Sequence, residues 1–177
     1  VIFEADKEPA LYEGRFINYK NDSRGFVVDE GEMLIVCTDQ YIQDIQTLVD
    51  WKNISGRPTS VVATSVTGKD EDLRKYLIEY YKKNPKLTYV LLVGEYYDIP
   101  SHIMGDGFSD NYFGLLEGDD CYEEVLVGRL SVKNVKDLKN QINKVIYYER
   151  DIDETATWLS NGVGIAAKEG TSGHFGE

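Results

Sequence analysis

An α/β fold on a mainly parallel sheet with crossover helices is what this sequence predicts, on three observations. From residue 31 onward, apolar runs of strand length alternate with segments of helical periodicity, the order expected of strands joined by helices. Two of the runs, residues 33–37 (MLIVC) and 88–93 (TYVLLV), are continuous rather than alternating, as in strands covered on both faces. The chain has 177 residues, 42% of them hydrophobic, and a domain of that length buries roughly 70% of its unfolded surface.

The elements follow in order. After the strand at 33–37, Ile42, Ile45, Leu48 and Val49 fall at helical spacing and predict a helix near 41–53, which Ser55-Gly56-Arg57-Pro58 stops. A second strand is predicted over 60–64. Leu73, Leu77 and Tyr80 then form one stripe of a helix near 70–83, ended by Asn84-Pro85. The third strand, 88–93, is the most apolar run in the chain and is expected at the centre of the sheet. Over residues 95–123 the pattern dissolves for far longer than the usual connection of ~4–6 residues, and such excursions are usually functional or disordered, this one being read as carrying chemistry. Order resumes with a strand at 124–127 and a helix near 134–150, where Val135, Leu138, Ile142 and Val145 make one stripe. A short segment near 154–159 precedes a last strand at 162–167. Residues 1–30 scatter Phe3, Leu11, Tyr12, Phe16, Phe26 and Val27 among charges and glycines, which suggests an N-terminal extension of short antiparallel strands, or a wrap over the main sheet, ahead of the domain at 31–177.

Charge narrows the function. With 19 Lys+Arg against 31 Asp+Glu, a net charge of −12 repels phosphate backbones and anionic membrane surfaces, so neither nucleic acid nor membrane is an expected partner. No run approaches the ~20 apolar residues that span a bilayer. The first residue, Val1, suggests a processed or excised piece and leaves export of a precursor open.

Nucleophiles are scarce. The two cysteines, Cys37 and Cys121, fit neither a disulfide framework nor a CxxC metal pattern. Cys37 lies in a buried strand, where a small apolar role is expected, and Cys121 lies among carboxylates whose field suppresses a thiolate. His102 and His174 read as exposed polar residues in irregular segments. No glycine-rich turn offers a phosphate cradle.

Two groupings can carry chemistry. Residues 117–124 (EGDDCYEE) place five carboxylates in eight residues with no base among them, a density that raises their pKa values and costs stability unless a cation is present. Calcium, which takes 6–8 oxygen ligands in irregular loops, suits that loop, and Glu95 is available to complete a site. The EF-hand spacing is absent, and on spacing alone a solvated acidic loop is the stronger reading. The second grouping sits at the carboxyl ends of the strands, where open parallel sheets gather function: Asp39, Glu95 and Lys168-Glu169. Two acids and a lysine there suggest a phosphoryl-accepting, Mg2+-binding receiver-like domain, although the first strand supplies one Asp rather than a pair and Glu95 stands where an acceptor Asp is needed.

Six ordered blocks point elsewhere. Residues 87–100 (LTYVLLVGEYYDIP), 109–114 (SDNYFG), 124–129 (EVLVGR) and 146–150 (IYYER), with 49–53 (VDWKN) and 165–170 (IAAKEG), resemble the gingipain-type cysteine peptidases from about residue 31 onward. The resemblance implies a caspase-like α/β catalytic domain, an open, mainly parallel sheet with helices on both faces, of which this chain matches the first of two subdomains. The nucleophilic Cys and its partner His, followed by Gly, are expected beyond the matched segment, in a second chain or carboxyl-terminal part that completes the domain around a polypeptide substrate. Glu169 aligns with the glutamate that orients the catalytic histidine. The family's calcium site maps onto the side chains of Glu95, Asp120 and Glu124 with the carbonyls of Glu117 and Tyr122, Glu95 and Glu117 standing where Asp and an apolar residue are commoner. Glu177 aligns with a ligand of another calcium site. A secreted or cell-surface protein is implied. A non-catalytic, calcium-binding adhesion module is the remaining alternative.

Overall fold

Four strands run side by side in one parallel sheet: β1 (Glu32–Cys37), β2 (Thr59–Ala63), β3 (Leu87–Val93) and, after an intervening hairpin, β6 (Leu126–Leu130). Their spatial order is β2-β1-β3-β6, so β3, the most apolar run, is internal as expected. The computed structural model describes residues 31–164 other than 106, 119 and 154, and the chain divides between Ile142 and Asn143 into two compact units. The extension at 1–30 lies outside the described residues, as do Glu169 and Glu177.

In the first unit the connections dictate the layers. The step from β1 to β2 runs one way across the sheet, and the steps from β2 to β3 and from β3 to β6 run the other way. Right-handed crossovers therefore put helix α1 (Gln46–Ile54) on one face and helix α3 (Glu71–Lys83) on the opposite face, with the long β3–β6 connection on the α3 side. A short helix, α2 (Thr64–Thr67), leads from β2 toward α3. Packing agrees with the handedness. Leu34 and Val36 of β1 and Val90 and Leu92 of β3 share one buried cluster with Leu73 and Leu77 of α3, and Ile99, Phe113, Leu116 and Val125 of the long connection join it. The alternate residues Ile35 and Cys37 face the other side, as the period of two requires. Ile45, Leu48 and Val49 are also buried, as are Leu138 and Ile142 of helix α4 (Val135–Ile146), and Lys139 Nζ pairs with Asp44 Oδ1 at 3.0 Å.

Helix α3 runs over almost the residues its stripe predicts. Glu71 and Asp72 in its first turn and Lys82 and Lys83 in its last complement the macrodipole. The first helix differs. Residues 39–41 form a 3-10 turn and α1 begins only at Gln46. Tertiary bonds claim the earlier segment: Thr38 donates from both its amide (3.0 Å) and its Oγ1 (2.9 Å) to the Val93 carbonyl, and Asp39 is bound across to Thr64. Strand β6 starts at Leu126 instead of Glu124 because the Glu124 amide donates to the Gly114 carbonyl rather than to the ladder.

The excursion at 95–123 has more order than its sequence announces. Strands β4 (His102–Met104) and β5 (Gly107–Ser109) form an antiparallel hairpin, and a 3-10 turn spans Asn111–Gly114. Ile99 and Phe113, both fully buried, pin it to the core. One ion pair ties it to the sheet: Arg129 of β6 grips Asp110 through Nε and Nη2, each at 2.7 Å, and donates from Nη1 to the Gly94 carbonyl at 3.2 Å. Ser101 Oγ also donates to Asp110, at 2.6 Å. Partial burial opposes the Asp110 charge, yet the bonds from Arg129 and Ser101 outweigh it and hold the carboxyl below the usual range.

In the second unit, α4 gives way to a π-helical turn at Tyr147–Asp151 where its apolar stripe ends, so the regular helix stops short of Arg150. A 3-10 turn covers Thr157–Ser160, and the rings of Tyr148 and Trp158 lie 6.1 Å apart. Of the strand expected at 162–167, residues 162–164 are irregular and the rest lie outside the described residues.

Two outcomes follow. Gly94 has φ +152°, and a Cβ there would sit on the Thr38 hydroxyl and 3.2 Å from Asp98 Cβ. Gly94→Ala is expected to lower unfolding free energy by about 2–3 kcal/mol in urea titrations, through strain and overpacking together. Asp110→Asn leaves a mostly buried guanidinium without its charge partner, and the expected loss is about 2–3 kcal/mol, below the ~3–5 of a fully buried pair. Because the folded Asp110 pKa is depressed, the stability it contributes is present above the unfolded value of about 4 and is lost as pH falls through the folded value. Denaturant midpoints should therefore separate wild type from Asp110→Asn at neutral pH and converge in acid.

Candidate functional site

A parallel sheet points all its strand ends the same way, and here the carboxyl edge carries Thr38-Asp39 after β1, Thr64 after β2, Gly94-Glu95 after β3 and Ser131 after β6. Asp39 is consumed structurally. Its Oδ2 accepts from Thr64 Oγ1 at 2.7 Å and from the Ser65 amide at 2.9 Å, and its pKa is lowered first by the Ser65 side chain, then by the Thr64 hydroxyl and the Ser65 amide. Glu95 accepts from Ser131 Oγ at 2.9 Å through Oε1, with its amide 3.3 Å from Asp98 Oδ2.

The acidic loop is closed by one of its own carboxylates. Glu124 Oε2 accepts from the amides of Leu116 (2.6 Å) and Glu117 (2.9 Å), and the Glu117 amide is the largest reason its pKa is lowered. Asp120 Oδ1 accepts from the Tyr122 amide at 2.9 Å, a tight local turn, and the Tyr122 side chain is exposed. Gly118, at φ +71°, lets the chain reverse between Glu117 and Asp120.

The residues expected to hold calcium lie in this loop and at the end of β3, but the structure does not draw their carboxylates into one tight set. Among the described residues, the only group of three or more His, Cys, Asp or Glu side chains whose ligand atoms fall within 4.8 Å of one another is Asp70, Glu71 and His102. The donor chemistry of the expected set nevertheless suits a hard cation. Glu95 and Glu124 each use one oxygen on a protein donor and leave the other, Asp120 adds a third carboxylate, and Glu117 and Tyr122 offer carbonyls.

No thiol in the chain is poised for attack. Cys37 is fully buried, and burial first, with the Asp39 charge second, pushes its pKa up to about 12. Cys121 is exposed within the acidic loop. The one described histidine bonds to a carboxylate, not to sulfur.

That histidine heads a cluster which sequence reasoning missed. His102 Nδ1 lies 2.7 Å from Asp70 Oδ1 and 3.8 Å from Glu71 Oε1. Its ring stacks on Tyr112 at 3.6 Å with an interplanar angle of 12°, and Tyr112 donates its hydroxyl to Glu71 Oε1 at 2.6 Å. The Arg74 guanidinium lies over the Tyr112 ring, 4.8 Å from its centroid, while donating to the Leu115 carbonyl. The partners are 32 and 41 residues apart, with no spacing signal to join them.

Known proteins share both sequence and fold with this chain. The profile of peptidase family C25 matches residues 28–176. Gingipain R2 of Porphyromonas gingivalis is 38% identical over 169 residues, covering 90% of this chain and 23% of that protein. Gingipain R1 of the same organism is 39% identical over 168 residues, 90% of this chain and 17% of its own length. The chain thus spans less than a quarter of either relative. Among solved structures, the Arg-specific cysteine proteinase gingipain R superposes with a TM-score of 0.70 at 36% identity, over 75% of this chain and 32% of that one. A complex of gingipain pro- and mature domains gives 0.70 at 37% identity over 72% and 31%. The mainly parallel α/β sheet is of the caspase-like kind, and, with the profile running from before β1 past the last described residue, the chain belongs to peptidase family C25.

Proposed function

We propose that this chain is the amino-terminal part of the catalytic domain of a calcium-stabilised cysteine endopeptidase acting on polypeptides outside the cell. The family match over residues 28–176 carries the reading. The reacting sulfur and its imidazole partner come from a part of the protein other than these 177 residues, a view supported by the inert burial of Cys37. The thiolate attacks the scissile carbonyl, the amine leaves with a proton from the imidazolium, and water hydrolyses the acyl-enzyme. Glu169 accepts a hydrogen bond from the second imidazole nitrogen, fixing its tautomer and stabilising the cation paired with the thiolate. Similarity to an Arg-specific proteinase makes peptides with Arg before the cleaved bond the first substrates to try.

Calcium, in this reading, is structural: Glu95, Asp120 and Glu124 with the carbonyls of Glu117 and Tyr122 hold it, and Glu177 serves a second ion. It relieves the repulsion of the acidic loop. Export is part of the same proposal, since weak calcium sites fill only where the ion is abundant. Among the described residues no helix is long and apolar enough to cross a membrane.

Calcium at about a hundredfold over its Kd should add about 2.7 kcal/mol, seen as a Tm roughly 5–10 °C above that in chelator. An unmoved Tm would remove the metal. In the complete protein, Glu169→Gln is expected to lower kcat by at least about tenfold on an Arg-amide substrate while leaving Tm in place; unchanged turnover would take Glu169 out of the mechanism.

A further inference from the structure

We propose that Asp70, Glu71 and His102 form a binding site for a divalent transition-metal ion of the Zn2+ class, which staples the start of α3 to hairpin strand β4. The three side chains come from two elements, and their ligand atoms already lie within 4.8 Å of one another. An ion with nitrogen and oxygen ligands at ~2.0–2.2 Å in tetrahedral geometry needs those atoms about 3.3–3.5 Å apart. His102 Nδ1 and Asp70 Oδ1, now hydrogen-bonded at 2.7 Å, must part by less than an ångström or so, and Glu71 Oε1, at 3.8 Å, must close by a few tenths. Rotations of exposed carboxylates supply both shifts.

The donor set selects the ion. An imidazole nitrogen with two carboxylates suits zinc and its neighbours and is a poor match for calcium or magnesium, which prefer oxygen alone. Two negative charges balance the ion's two positive ones, which matters because the positive end of the α3 dipole lies close by. The site is neither sealed nor fully wet: the side chains of His102, Asp70 and Glu71 are 23%, 46% and 52% exposed, leaving an entry path and room for water as a fourth ligand.

Supporting contacts fix the ligands as outer-shell groups do in metal centres. The Tyr112 ring holds the imidazole plane by stacking, and its hydroxyl orients Glu71. The nearby cations are engaged elsewhere, Arg74 on the Leu115 carbonyl and Lys69 on the Tyr97 carbonyl. On binding, neutral His102 presents the Nδ1 lone pair and carries its proton on Nε2.

The test uses the full-length protein, stripped by chelator, with its thiols alkylated and calcium in excess so that neither sulfur nor the acidic loop takes up zinc. Calorimetric titration with ZnCl2 and melting in its presence should show a site that His102→Ala weakens by about a hundredfold and Tyr112→Phe, which keeps the stacking ring, by about tenfold. The zinc-induced rise in Tm should vanish with His102→Ala while the calcium-induced rise stays. Equal zinc affinity in wild type and His102→Ala overturns the proposal, as does a wild-type protein that binds no zinc at about 100 µM. Should His102→Ala fail to fold, Glu71→Gln, altering a half-exposed side chain, gives the same two readings. Peptidase activity enters neither, so failure here leaves the catalytic reading untouched.

Discussion

The constraint on which the rest of this structure depends is the position of β3. Flanked by β1 and β6, its amides and carbonyls are satisfied on both sides by parallel ladders, and its side chains must be covered above and below. Parallel pairing forbids short hairpins between neighbours, so each connection must cross over a face of the sheet. The same requirement leaves all the strand ends together at one edge, where backbone groups beyond the ladder need new partners. Thr38, Gly94 and Arg129 meet that need by bonding across strands: Thr38 to Val93, Gly94 to Leu130 and Arg129 to the Gly94 carbonyl. The edge available for chemistry is thus tied together by hydrogen bonds of its own.

Electrostatics on the long connection is managed at different levels of burial. Near the sheet, Asp110 meets a guanidinium and a hydroxyl in a partly buried setting, where directed bonds override the desolvation cost. Further out, among the described residues of the acidic loop, Glu124 is steadied chiefly by backbone amides, with the Arg74 charge a smaller influence. An arginine in that place would neutralise the loop and compete with any cation; amide dipoles stabilise one carboxylate without doing so.

Much of the sheet is readable because β1 and β3 are continuous apolar runs and α3 keeps its helical period; β1, β2, β3 and α3 fall within about a residue of their expected ends. The misses have local causes. The 3-10 turn at Asp39–Tyr41 follows from bonds to Val93 and Thr64, partners 55 and 25 residues away, which no periodicity reports. The β4–β5 hairpin has three-residue strands, too short to show alternation. The His102 cluster joins side chains on separate elements, and a lone histidine in an irregular segment reads as solvent-facing although here it is stacked and bonded. Glu95, Asp120 and Glu124 were picked out by charge density and family resemblance, but which protein donors each would engage depends on tertiary approach and could not be read.

The closure of the acidic loop has an evolutionary consequence. Glu124 grips main-chain amides at positions 116 and 117, groups that every residue except proline supplies. Side-chain identity at 117 is therefore released from the duty of shaping the loop, and a glutamate can replace an apolar neighbour there without unpicking it. Drift at such a position leaves the clasp intact, whereas a single proline would sever it.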